Sequence, residues 1–88
     1  MKNLQDLRKE VDSIDKKINE LFIRRLDIVK KIKKEKIQLN LETIDRKREK
    51  EIFENLENYT KVEYHQYSHD LFENIIRISK DFQEKYDD

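Results

Sequence analysis

Charged and hydrogen-bonding side chains stand in this 88-residue chain where amphipathic helices should carry aliphatic ones, and their spacing singles them out. The heptad position shared by Leu4, Val11, Ile18 and Ile32 is occupied once by Arg25. Beside that seam, one residue further round, lie Arg8, Asp15, Phe22, Val29 and Lys36, so Arg8, Arg25 and Lys36 lie on or next to a face that should be packed. Asp45, Arg48, Glu49 and Ile52 then follow the spacing i, i+3, i+4, i+7, and that face continues into Leu56. Phe72, Ile76, Ser79 and Gln83 share a third stripe. Taken singly, each has a structural explanation. An arginine in a seam fixes register or pairs with a facing glutamate. Lys36 near a helix end snorkels and suits the macrodipole, and Asp45 and Glu49 suit a first helical turn. Taken together, four cations, two acids and two neutral hydrogen-bonding groups are too many for so small a core, because burying them unpaired is costly. A ligand bearing negative charges and a hydroxyl resolves the conflict.

His65 and His69 lie at i and i+4, a spacing that can hold a metal, but the intervening residues are Gln-Tyr-Ser and no third ligand is evident. No metal and no cofactor is expected. The neighbouring Tyr59, Tyr64 and Tyr67 are expected to pack at a helix start.

The elements that must position these groups are read from periodicity, because the chain has no Gly and no Pro. Leu4, Leu7, Val11, Ile14, Ile18, Leu21, Ile28 and Ile32 recur in alternating steps of three and four, apart from one gap, predicting one helix over about 3–37. Such a helix is roughly 50 Å long, whereas a compact chain of this length is roughly 30 Å across. Either the molecule is a rod, or a second chain covers the protruding half. Residues 38–43 read as a connection, with Thr43 as N-cap of a second helix over about 44–59 that carries Ile52, Leu56 and Tyr59 inward. After a polar link at 58–63, a third helix over about 64–86 turns Leu71, Phe72, Ile75, Ile76 and Phe82 inward. No segment alternates with period two. The expected class is all-α, one domain over 1–88.

Twenty basic residues balance twenty acidic ones, which argues against nucleic acid or a membrane surface as partner. Absence of Cys removes disulfides, a thiol nucleophile and zinc–thiolate sites, and absence of Gly removes phosphate-cradling loops. No apolar run long enough to span a membrane or act as a leader is present, and a cytoplasmic setting is expected. Leu, Ile, Val and Phe supply 26 of the 88 residues, enough to fold but few enough that oligomerisation is the natural staple. Ala is missing too, a bias that an AT-rich genome or a simplified alphabet would produce.

In order and spacing, these pieces resemble the all-helical (type II) chorismate mutase family. The resemblance runs from Leu4 to Gln83. It rests on Leu7-Arg8, the I-D-x-x-I of Ile14–Ile18, Arg24-Arg25, the K-x-x-K-x-K of Lys31–Lys36, the D-x-x-R-E of Asp45–Glu49, and the run from Leu71 to Gln83. It implies an intertwined homodimer of three-helix subunits and the rearrangement of chorismate to prephenate, a step of phenylalanine and tyrosine biosynthesis. Arg25, Lys36, Asp45, Arg48, Glu49, Ser79 and Gln83 would come from one chain, and Arg8 from its partner. In that scheme Arg8 and Arg25 clamp the substrate carboxylates, and Lys36 and Gln83 donate to the ether oxygen. Glu49 and Asp45 hold the ring hydroxyl, while Arg48 and Ser79 orient the ring carboxylate, or Arg48 braces Glu49. Lys36, Gln83, Arg25 and Glu49 would carry catalysis. The connection before Asp45 lacks the Gly and Pro common in relatives. Two other readings stand beside this one: isochorismate pyruvate lyase on the same scaffold, and a non-catalytic helical dimerisation module.

Overall fold

The computed structural model describes residues 2–41 and 45–85. Among them it contains three α-helices, α1 (Leu4–Gln38), α2 (Arg46–Tyr59) and α3 (His65–Lys85), and a 3-10 turn (Val62–Tyr64) that leads into α3. The all-α architecture of one long and two shorter helices is the one the periodicity predicts. No helix among the described residues is long and apolar enough to cross a membrane.

With nothing in its sequence to break it, α1 runs for 35 residues. Asn3 starts it, its side chain accepting from the Asp6 N–H at 2.9 Å. Asn40 stops it, at φ 56°. The Asn40 N–H donates to the Ile37 carbonyl (3.1 Å) and the Leu41 N–H to that of Lys36 (2.8 Å), the paired bonds that close a helix through a left-handed residue. Asn is the usual substitute where Gly is absent, because its short polar side chain tolerates that region. Helix α2 is capped by Asp45, whose carboxylate accepts from the Arg48 N–H at 3.0 Å; Thr43, expected in that role, lies outside the described residues, as does Tyr86. At the other end of α2, the His65 ring Nε2–H faces the carbonyls of Thr60 (2.7 Å) and Glu57 (3.1 Å), which the helix end leaves without intrahelical partners.

Helix α3 packs against both α1 and α2, and the buried side chains, Leu56, Ile76 and Ser79, lie along it or face it. Two inward expectations are corrected. Leu71 is 54% exposed, because it belongs with Ile75 and Ile78 on a stripe rotated away from Phe72 and Ile76. Tyr59, at the last residue of α2, is 70% exposed, and Tyr64 and Tyr67 are exposed as well. The seam of α1 from Leu4 to Leu21 is uncovered throughout, between 47% (Leu7) and 62% (Leu4) exposed. This half of the helix projects from the packed end. The radius of gyration is 16.4 Å, with a longest extent of 57 Å, against about 12 Å for a compact chain of this length.

Candidate active site

Where the C-terminal half of α1, the first turns of α2 and the C-terminal half of α3 meet, they enclose a cavity of about 450 Å³. That volume lies within the ~300–1,000 Å³ range of small-molecule sites. Its apolar wall is built from Leu21, Ile28, Val29 and Ile32 of α1, Ile52 of α2 and Ile76 of α3. All seven same-chain residues singled out by spacing line it: Arg25, Lys36, Asp45, Arg48, Glu49, Ser79 and Gln83. Arg24 and Lys80 complete the lining, so five cationic side chains face two carboxylates. Arg8 does not join them. It lies exposed on the projecting half of α1, seventeen residues before Arg25, or about 26 Å along the helix axis.

The polar groups are held in defined contacts. Arg25 Nη1 donates to the Ser79 hydroxyl at 2.8 Å, and that hydroxyl donates in turn to the Ile75 carbonyl at 2.7 Å. Ser79 is therefore spent on orienting Arg25 and closing on its own helix. Burial, and then the nearby positive charge of Arg48, hold the Arg25 pKa below its ordinary value, which means that the charged guanidinium lacks compensation there. Gln83 sits between the helices: its side-chain Nε2 makes a long 3.5 Å contact to the Val29 backbone carbonyl, while the Gln83 backbone carbonyl accepts from Lys33. Arg48 Nη1 pairs with Glu51 at 3.2 Å on the outer surface of α2. The expectation that Arg48 braces Glu49 is corrected, since the cation on Glu49 is Lys80, reaching across from α3.

Lys80 was not picked out by sequence reasoning, and Arg24 entered only through the Arg24-Arg25 pair of the family resemblance. The signal for Lys80 was available: it lies four residues after Ile76 and three before Gln83, on the edge of the same stripe. The two histidines serve elsewhere. His65 closes the end of α2, and His69 stacks on Phe53 with ring centroids 4.5 Å apart.

The arrangement favours one kind of chemistry. Among the described residues the lining holds no His, Cys or Tyr, and its one hydroxyl is not next to a general base. What it offers is a cluster of cations, two carboxylates and one side-chain amide around an apolar floor. Such a set of groups suits a small anion and charge that moves within it.

A solved structure described as a conserved hypothetical protein from Pyrococcus furiosus superposes with a TM-score of 0.73 at 41% identity, over 91% of this chain and 93% of that one. No curated protein matches the chain. Residues 7–84, a span that includes Arg8 and all seven cavity residues, match the family described as chorismate mutase type II. The chain thus belongs to the chorismate mutase type II family.

Proposed function

We propose that this protein is a chorismate mutase, an isomerase that rearranges chorismate to prephenate without cofactor or metal. The observation that carries the reading is the convergence of Arg25, Lys36, Arg48, Glu49, Ser79 and Gln83, from three helices, on one cavity that lacks any nucleophile–base pair. The rearrangement is unimolecular: an ether C–O bond breaks as a C–C bond forms, and no proton need be relayed. Catalysis then consists of holding the folded conformer and stabilising charge that grows on the ether oxygen. Even a ~10⁶-fold acceleration requires about 8 kcal/mol.

Arg25, held by Ser79, presents its remaining guanidinium donors to a substrate carboxylate through charge-assisted bonds. Lys36 and the Gln83 amide donate to the ether oxygen, and Glu49 accepts from the ring hydroxyl. Asp45 Oδ1 is taken up as the cap of α2, which leaves only its remaining acceptor capacity at the cavity rim. Arg48, on the same rim, orients the ring carboxylate.

The reading includes a homodimer. An uncovered heptad seam on the projecting half of α1 suits a second copy of the same helix, which would bring the partner subunit's Arg8 to the second substrate carboxylate. The test is prephenate formation by the purified protein, with its mass in solution measured in parallel. Prephenate from a dimer is the expected result. Pyruvate released from isochorismate, with chorismate left intact, would instead assign the lyase activity.

A further inference from the structure

Lys80, on α3, reaches across to Glu49, a carboxylate of the same cavity carried by α2. Glu49, Ile76 and Lys80 line the main cavity, and the same three line a shallower groove on the far side of the α2–α3 contact. The Lys80–Glu49 ion pair is therefore part of the partition between the two spaces. Glu49 is the more enclosed partner, its side chain 23% exposed against 46% for Lys80. The arginines of the cavity make their contacts elsewhere, Arg25 with Ser79 and Arg48 with Glu51.

This geometry has a specific consequence for a site that must capture an anion. Glu49 lines the same cavity as Arg25 and Arg48, and a carboxylate free to turn toward them would compete for their guanidiniums, because bidentate pairing is favourable in a half-buried place. We propose that Lys80 is a positioning residue that keeps Glu49 from capping the arginines, so that they remain available to the substrate's carboxylates. A carboxylate has acceptor capacity for more than one donor, so Glu49 can hold Lys80 and still accept from a substrate hydroxyl. The proposal rests on the mutase reading and assigns Lys80 no contact with the substrate.

The role separates from a direct electrostatic one by a double-mutant cycle on steady-state kinetics with chorismate. Lys80→Met, which keeps the aliphatic stem, is expected to raise KM about tenfold with kcat little changed, the signature of lost ground-state binding. Lys80→Arg is expected to restore KM. In a Glu49→Gln background, where the neutral amide cannot compete for the guanidiniums, Lys80→Met is expected to move KM less than about twofold. A KM increase of the same size in both backgrounds would show Lys80 acting on the substrate directly and overturn the proposal, as would a Lys80→Met protein with unchanged KM. Folding of each variant is checked by circular dichroism, and the partly exposed position of Lys80 makes Met a mild change. A wild-type protein that does not turn over chorismate overturns the mutase reading, whereas an active wild type with an insensitive Lys80 overturns the positioning role alone.

Discussion

Arg25 shows how a single side chain here is both a structural liability and a functional asset. Its guanidinium is half-buried, tied to Ser79 and repelled by Arg48, so an anion entering the cavity relieves a tension already present. Gln83 offers the sharpest test at this scale. A neutral amide can donate to an ether oxygen at any pH, but a carboxyl can donate only when protonated. Gln83→Glu is therefore expected to have turnover that rises as pH falls into the carboxyl's titration range, where wild type stays level. A pH–rate profile of the two proteins checks this. The cavity residues of one chain were legible in the sequence because each interrupts an apolar stripe: Arg25 in a leucine–isoleucine seam, Ser79 and Gln83 after Phe72 and Ile76. Lys80, at the edge of its stripe, was passed over because a lysine in that place is what a solvated helix ordinarily carries. Which acceptor each cation takes depends on rotamers and on neighbouring helices, and the pairing of Lys80 rather than Arg48 with Glu49 follows from that.

Among the elements, the sequence is most readable where periodicity is long and least readable at the ends. The seam in α1 sets its length to within a residue or two, while the start of α2 falls at Asp45 instead of Thr43 because a carboxylate caps as well as a hydroxyl. The C-terminus of α1 matters most for the site, since Lys36 lies in its last turn and its carbonyl receives the closing bond from Leu41. Asn40 makes that closure in a chain with no Gly. Asn40→Ala is expected to lower stability by about 1 kcal/mol, because alanine lacks the short polar side chain that lets Asn tolerate the left-handed region, while Asn40→Gly is expected to lose nothing. Urea denaturation of the three proteins gives the comparison. The inward faces of α2 and α3 were read correctly at Leu56 and Ile76 and wrongly at Leu71 and Tyr59. The errors fall where a second apolar stripe or a helix terminus has the same composition as a buried face.

Seen whole, the molecule places the candidate cavity at one end and an uncovered apolar rod at the other. If the dimer completes each site with one arginine from the opposite subunit, the two sites can be complemented across chains. Arg8→Ala and Lys36→Ala are each expected to lose at least about a hundredfold in kcat/KM, given the size of such electrostatic contributions. A co-refolded mixture is expected to regain activity, because a mixed dimer contains one site with both residues intact. Recovery to no more than the sum of the two separate activities would place Arg8 outside the site. None of this was visible in any single stripe. It follows from the mismatch between a helix of 35 residues and a chain too short to cover it.

The bare flank of α1 also ties persistence of the fold to how many copies are present. Only Leu56, Ile76 and Ser79 are buried within one subunit among the described residues, so in the proposed dimer association would supply much of the free energy that holds the chain folded. The melting temperature should therefore climb with protein concentration, and specific activity should decline on dilution as subunits part. In the proposed dimer, abundance in its surroundings would act as an on–off control over structure and turnover together.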